Sequence, residues 1–133
     1  MDSMDRLIAL ALEEDLGSAG DVTTQALVDP DAVGRAEFLV KEPLVLAGLE
    51  PVRRTFAAVD PRLEVEFSAR EGEAVEARQV VGTVRGPLRG ILTGERTALN
   101  FLQRLSGVAT AAARAAQALS GTRCRILDTR KTT

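Results

Sequence analysis

At 133 residues the chain has room for one ordinary domain, and its hydrophobic fraction of 45% is enough for a real core. It has no apolar run of about 18 residues, so no membrane-spanning helix is expected, and its acidic start, Met1-Asp2-Ser3-Met4-Asp5, lacks the basic opening of a secretory leader. The single cysteine, Cys124, cannot close an internal disulfide, which fits a reducing cytoplasm; it reads as a small apolar strand residue rather than a nucleophile. The net charge of −2 hides an asymmetry. The first 31 residues carry eight acids against one base, Arg6, for −7, and the remainder carries +5. The arginines of that remainder are scattered among acids and the chain has no Tyr or Trp, which argues against a nucleic-acid partner.

In chain order, Leu7, Ile8, Leu12 and Leu16 form the apolar stripe of a first helix, stopped by Gly17. Residues 18–31 read as a loop with an Asp29-Pro30 turn, in which Asp21 and Thr23 fit cap or turn roles better than ligand contacts. Ala36-Glu37-Phe38-Leu39-Val40 predicts a strand and Leu44-Val45-Leu46-Ala47 another. Leu49, Val52, Phe56 and Val59 are spaced for a short helix, with Pro51 acceptable in its first turn and Pro61 beyond its end. Leu63-Glu64-Val65-Glu66-Phe67 alternates as a half-exposed strand does. Glu71–Val75 and Val80–Val84 add two short strands, and Gly86-Pro87 turns the chain into Leu88–Leu92. Short strands with glycine turns suggest a small barrel or sandwich.

Thr93 is then read as the N-cap of a long helix, with Glu95 in its first turn where the helix dipole favours an anion. Leu99, Leu102, Leu105, Val108, Ala109, Ala112, Ala116 and Leu119 carry the helical stripe. The small residues Ser106-Gly107 and Ala111-Ala112-Ala113 predict another element lying close against it. Gly121 stops the helix. Cys124 to Leu127 predicts a buried parallel strand, whose C-terminal end is where α/β proteins place ligands. Asp128-Thr129-Arg130-Lys131-Thr132-Thr133 follows as a cationic loop.

Two likenesses bear on function. Glu71-Gly72-Glu73-Ala74-Val75 followed by Gln79-Val80-Val81-Gly82 is similar to a biotinyl or lipoyl carrier domain. Such carriers need a lysine at an exposed hairpin tip, and the two lysines here, Lys41 and Lys131, lie elsewhere, so that likeness implies architecture only. The second likeness covers nearly the whole chain. Glu95-Arg96-Thr97-Ala98-Leu99-Asn100-Phe101-Leu102-Gln103-Arg104-Leu105-Ser106-Gly107-Val108-Ala109-Thr110, then Asp128-Thr129-Arg130-Lys131-Thr132, resembles the quinolinate phosphoribosyltransferase family, the carboxylating nicotinate-nucleotide pyrophosphorylases. Glu14-Asp15-Leu16-Gly17 and Gly20-Asp21-Val22-Thr23-Thr24 fit the same family.

The resemblance implies an α+β fold. A helix-flanked, barrel-sandwich-like N-terminal domain would occupy 1–107, and 108–133 would hold the first helix and strand of a truncated α/β barrel. Family members are far longer and carry a His and further Arg, Lys and acidic residues in that barrel. The chain therefore looks like an N-terminal half, expected to be inactive alone.

Quinolinate is a pyridine dicarboxylate and phosphoribosyl pyrophosphate carries several phosphate charges, so a site for both must be strongly cationic. Arginine suits planar carboxylates and lysine suits phosphate as a compact charge. With 15 Arg and 2 Lys in the chain, a lysine beside Arg130 stands out. The resemblance implies that Arg96 binds a quinolinate carboxylate and reaches into the neighbouring subunit's site. It implies that Arg130 binds substrate carboxylates, that Lys131 contacts phosphoribosyl pyrophosphate as the catalytic residue, and that Thr129 lines the same loop. The implied reaction is attack of the pyridine nitrogen on ribose C1 with loss of pyrophosphate, then decarboxylation to nicotinate mononucleotide. Mg²⁺ would screen the pyrophosphate through ligands in the missing barrel, with none in this chain. A cytoplasmic homodimer without nucleic-acid or membrane partners completes the expectation. The alternatives are a related phosphoribosyltransferase with another base, or a non-catalytic carrier-like or assembly fragment.

Overall fold

The computed structural model describes residues 2–129 and 131. Helix α1 spans Ser3–Leu16 and α2 Val22–Leu27; strands β1 (Val33–Leu39) and β2 (Leu44–Val45) follow, then α3 (Leu49–Val59). Strands β3 (Glu64–Phe67), β4 (Ala74–Val75) and β5 (Val80–Pro87) lead directly into α4, Leu88–Ala118.

Local chemistry sets most of these boundaries. Asp2 caps α1 by accepting from the Asp5 amide at 2.9 Å while the Asp5 carboxylate accepts from the Asp2 amide, a reciprocal capping box. Arg54 of α3 then bonds Asp2 at 2.6 Å, Asp5 at 3.1 Å and Glu50 at 2.8 Å, tying the start of α1 to α3. Those three carboxylates, Glu50 first, raise the Arg54 pKa above its ordinary value. The amides at the head of α3 find an acceptor from far along the chain: Glu71 takes the Gly48 N–H at 2.6 Å and the Leu49 N–H at 3.0 Å. An anion there also meets the positive end of the helix dipole.

Two antiparallel sheets form, β1-β5-β3 and β2-β4. β5 is central, pairing Phe38 with Gly82 and Phe67 with the same Gly82, and the β1 register slips by a bulge after Phe38. Gly82 has no room for a side chain, since a Cβ would sit 2.5 Å from the Phe67 ring and 2.7 Å from the Glu66 carbonyl. The core lies between the three-stranded sheet and the α3–α4 pair. Phe56, Leu46, Val52, Val75 and Val81 are fully buried, and Phe38 meets the Phe56 ring edge-on at 6.3 Å. Ser106 of α4 holds the chain just after β2: its hydroxyl accepts from the Ala47 amide at 3.0 Å and donates to the Ala47 carbonyl at 3.1 Å. Thr110 accepts from the Val45 amide in the same row.

The α+β class therefore holds, and the sheets form no closed barrel among the described residues. Several expectations change. Residues 18–31 contain α2, capped by Asp21, so the cap role expected for that residue is correct. The long helix begins at Leu88, right after Pro87, so Thr93 is not its N-cap and Glu95 lies beyond its first turn. Cys124–Leu127 is not a strand. A strand exists only through ladder bonds to a neighbour, and no described strand lies beside this segment, whose residues are all exposed. Of the small residues expected to meet a close neighbour, Ser106 does, while Ala111, Ala112 and Ala113 are exposed. β4 and β5 do not pair with each other, so the lipoyl-like hairpin is absent.

Candidate functional site

The end of α1, the start of α2 and one face of α4 meet at a cleft of about 200 Å³ lined by Asp15, Gly20, Asp21, Thr23, Thr93 and Arg96. Each wall has a local cause. Gly17 ends α1 with a positive φ of 55°, its amide bonding the Glu13 carbonyl. Gly20, at φ 69°, turns the chain so that Asp21 can cap α2 through the Thr24 amide at 3.0 Å. The other oxygen of Asp21 accepts from the Thr93 hydroxyl at 3.1 Å, fastening α2 to α4. The Thr24 hydroxyl and amide, with the Thr93 hydroxyl, hold the Asp21 carboxyl below the usual carboxylate range, and the positive charge of Arg96 adds to this.

Arg96 stands on the same face of α4, one turn after Thr93. Its Nη1 donates to Asp15 Oδ1 at 2.9 Å. The Arg96 side chain is 76% exposed, whereas the Asp15 side chain is 14% exposed. The arrangement is a cation turned to solvent with its back against a sheltered carboxylate. Such a group can take a planar anion.

Thr129 and Lys131 are placed differently. Both are exposed, and the Lys131 amide donates to the Thr129 hydroxyl at 2.8 Å, a bond within the segment itself. Arg130 lies outside the described residues. The structure thus brings Arg96 into a formed cleft, and neither Thr129 nor Lys131 lines it. Asp15 is a cleft residue that residue-by-residue reading passed over; its membership of the Glu14-Asp15-Leu16-Gly17 motif was the available signal. Among the described residues no group of three or more His, Cys, Asp or Glu could hold a metal ion. No described helix is long and apolar enough to cross a membrane.

Comparison with known proteins supplies the family. Residues 21–106 match the model described as "Quinolinate phosphoribosyl transferase, N-terminal domain". A quinolinate phosphoribosyltransferase [decarboxylating] 1b from Nicotiana tabacum is 42% identical over 95% of this chain and 35% of its own length. A probable nicotinate-nucleotide pyrophosphorylase [carboxylating] from Synechocystis is 45% identical over 92% of this chain and 41% of its own. The crystal structure of NadC from Streptococcus pyogenes superposes with a TM-score of 0.92 at 36% identity, covering 98% of this chain and 46% of that one. The nicotinate-nucleotide pyrophosphorylase from Francisella tularensis gives 0.90 at 32% identity, over 97% and 46%. The chain thus spans between a third and a half of the length of these relatives. The family model covers well over half of the chain, and the chain belongs to the quinolinate phosphoribosyltransferase family, matching its N-terminal domain.

Proposed function

We propose that this chain is the N-terminal part of an enzyme that transfers a phosphoribosyl group to quinolinate in NAD biosynthesis. The pyridine nitrogen attacks ribose C1 of phosphoribosyl pyrophosphate, pyrophosphate leaves, and decarboxylation gives nicotinate mononucleotide. The observation that carries the reading is Arg96. It sits in the stretch that resembles the family motif, and it offers a solvent-facing guanidinium over a formed cleft. Two N–H donors on one edge of that group match the two oxygens of a ring carboxylate.

In the same reading Arg130 and Thr129 line the substrate pocket, and Lys131 contacts phosphoribosyl pyrophosphate. The chain divides near residue 107 into an N-terminal domain and the start of a barrel. The end of the family match at 106 and the burial of Ser106, the last buried residue of α4, support that division. The barrel would bring Mg²⁺ ligands and a strand partner for the segment around Ile126 and Leu127. A cytoplasmic homodimer, with Arg96 contributed across the interface, completes the proposal.

The test is Arg96→Ala in the full-length polypeptide. Hydrogen bonds to a charged group contribute about 1.5–3 kcal/mol, so the KM for quinolinate should rise roughly 10–100-fold. The KM for phosphoribosyl pyrophosphate should stay within about threefold. An equal loss for both substrates would remove the assignment. The 133-residue chain alone should give no turnover.

A further inference from the structure

Among the described residues Arg96 is held at one corner. Its Nη1 is engaged by Asp15 Oδ1 at 2.9 Å, and its side chain is otherwise 76% exposed. A guanidinium has five donors in a flat fork, and a carboxylate pairs best with two parallel donors on one edge. Pairing through Nη1 leaves the Nε–Nη2 edge outside the bond to Asp15, on a side chain that is mostly open to solvent.

Nothing local explains a carboxylate at position 15. α1 ends Glu13-Glu14-Asp15-Leu16 with no basic residue in its last turn. The C-terminal end of a helix carries partial negative charge and disfavours acids. Yet the Asp15 side chain is mostly sheltered, and its partner lies 81 residues away on another helix. Asp21, the other acid in the cleft, is already bonded to Thr24 and Thr93. Asp15 is therefore the carboxylate available to orient the arginine.

We propose that Asp15 is a positioning residue, which holds Arg96 by Nη1 so that its Nε–Nη2 edge meets a ring carboxylate of the substrate. This rests on the reading that Arg96 binds quinolinate. The gain is entropic: a long side chain fixed before binding has fewer rotamers to lose when the ligand arrives.

The experiment uses Asp15→Ala, Asp15→Asn and Asp15→Glu in the full-length polypeptide, beside Arg96→Ala and the Asp15→Ala/Arg96→Ala double variant. Asp15→Ala should raise the KM for quinolinate about 5–10-fold, the upper part of the cost of ordering one rotamer-rich side chain on binding and less than the loss of Arg96 itself. The KM for phosphoribosyl pyrophosphate and kcat should each stay within about twofold. Asp15→Asn should raise the quinolinate KM while leaving the melting temperature unchanged or higher, because it removes an anion from a helix C-terminus. Asp15→Glu should recover part of the loss. On the Arg96→Ala background, Asp15→Ala should add less than about twofold.

Three results would overturn the proposal. One is an unchanged quinolinate KM in Asp15→Ala while Arg96→Ala raises it. Another is a lowered KM, which would make Asp15 a competitor for the guanidinium. The third is a joint rise of both KM values with a falling melting temperature in Asp15→Asn. If Arg96→Ala itself leaves quinolinate binding intact, the parent reading fails and takes this one with it.

Discussion

The two halves of α4 have similar helical sequence and opposite surroundings. In the first half Gly90, Ile91, Gly94, Thr97, Ala98, Leu102 and Ser106 are buried, and the helix packs against α1, α2, α3, β1, β2 and β5. After Thr110, which still bonds β2, every residue from Ala111 to Ala118 is exposed. Helix propensity is not the difference, because the second half is rich in alanine, the best helix former. The difference is what lies alongside. It also divides the candidate site: Arg96 stands on the packed half, with Asp15 behind it, while Thr129 and Lys131 lie beyond the bare half and bond each other. A side chain on a packed helix is preorganised; one on an unsupported segment becomes so only when something covers it.

The largest test of this contrast is a pair of truncations. Phe56 is 2% exposed, and its ring lies against the face of α4 where a Cβ at Gly94 would be 3.0 Å from it. Phe56→Ala should cost about 3–5 kcal/mol, read as a fall in the urea midpoint with an unchanged slope. Val108, 59% exposed and beyond Ser106, the last buried residue of α4, should change stability by less than about 0.5 kcal/mol when replaced by Ala. Similar losses at the two positions would mean that the second half of α4 is covered in solution.

Much of this architecture can be read before any coordinates. The Leu49, Val52, Phe56 and Val59 spacing predicts α3, whose bounds are Leu49–Val59. The alternation of Leu63 to Phe67 predicts β3. The start of α4 is harder to read because Gly90 and Gly94 look like breakers. They are instead close-approach sites: a Cβ on Gly90 would lie 3.0 Å from Leu63. α2 is hidden by its brevity, six residues with two threonines and no stripe, and is held by its Asp21 cap. The apolar run Cys124–Leu127 carries a strand's pattern without a described neighbour to pair with. At the site, Arg96 is legible through its motif, but its pairing with Asp15 spans 81 positions and no local pattern encodes it.

A second long-range contact gives an intermediate effect. Glu71 closes the head of α3 through two backbone amides, 22 and 23 residues away. Glu71→Ala leaves both donors to water and should cost about 1–2 kcal/mol, in the range of a lost helix cap. Glu71→Gln keeps an acceptor but loses the charge opposite the helix dipole, so it should cost less. Equal losses for the two variants would show that one retained acceptor contributes nothing without the second oxygen and the charge.

The smallest effect is the most specific to the cleft. Asp21 is a cap, and Asn caps helices nearly as well, so Asp21→Asn should cost little near neutrality. What it removes is the carboxylate, whose pKa is held below its ordinary value in the folded state by hydrogen bonds from Thr24 and Thr93. A carboxyl lowered on folding stabilises the folded state above its unfolded pKa and loses that contribution as pH falls through the folded value. The difference in urea midpoint between the parent protein and Asp21→Asn should therefore be present at pH 7, shrink below about pH 4, and vanish in stronger acid. A difference that stays constant across that range would mean that Asp21 fastens α2 to α4 by shape alone. The packed half of α4 would then hold its cleft without electrostatic help from this residue.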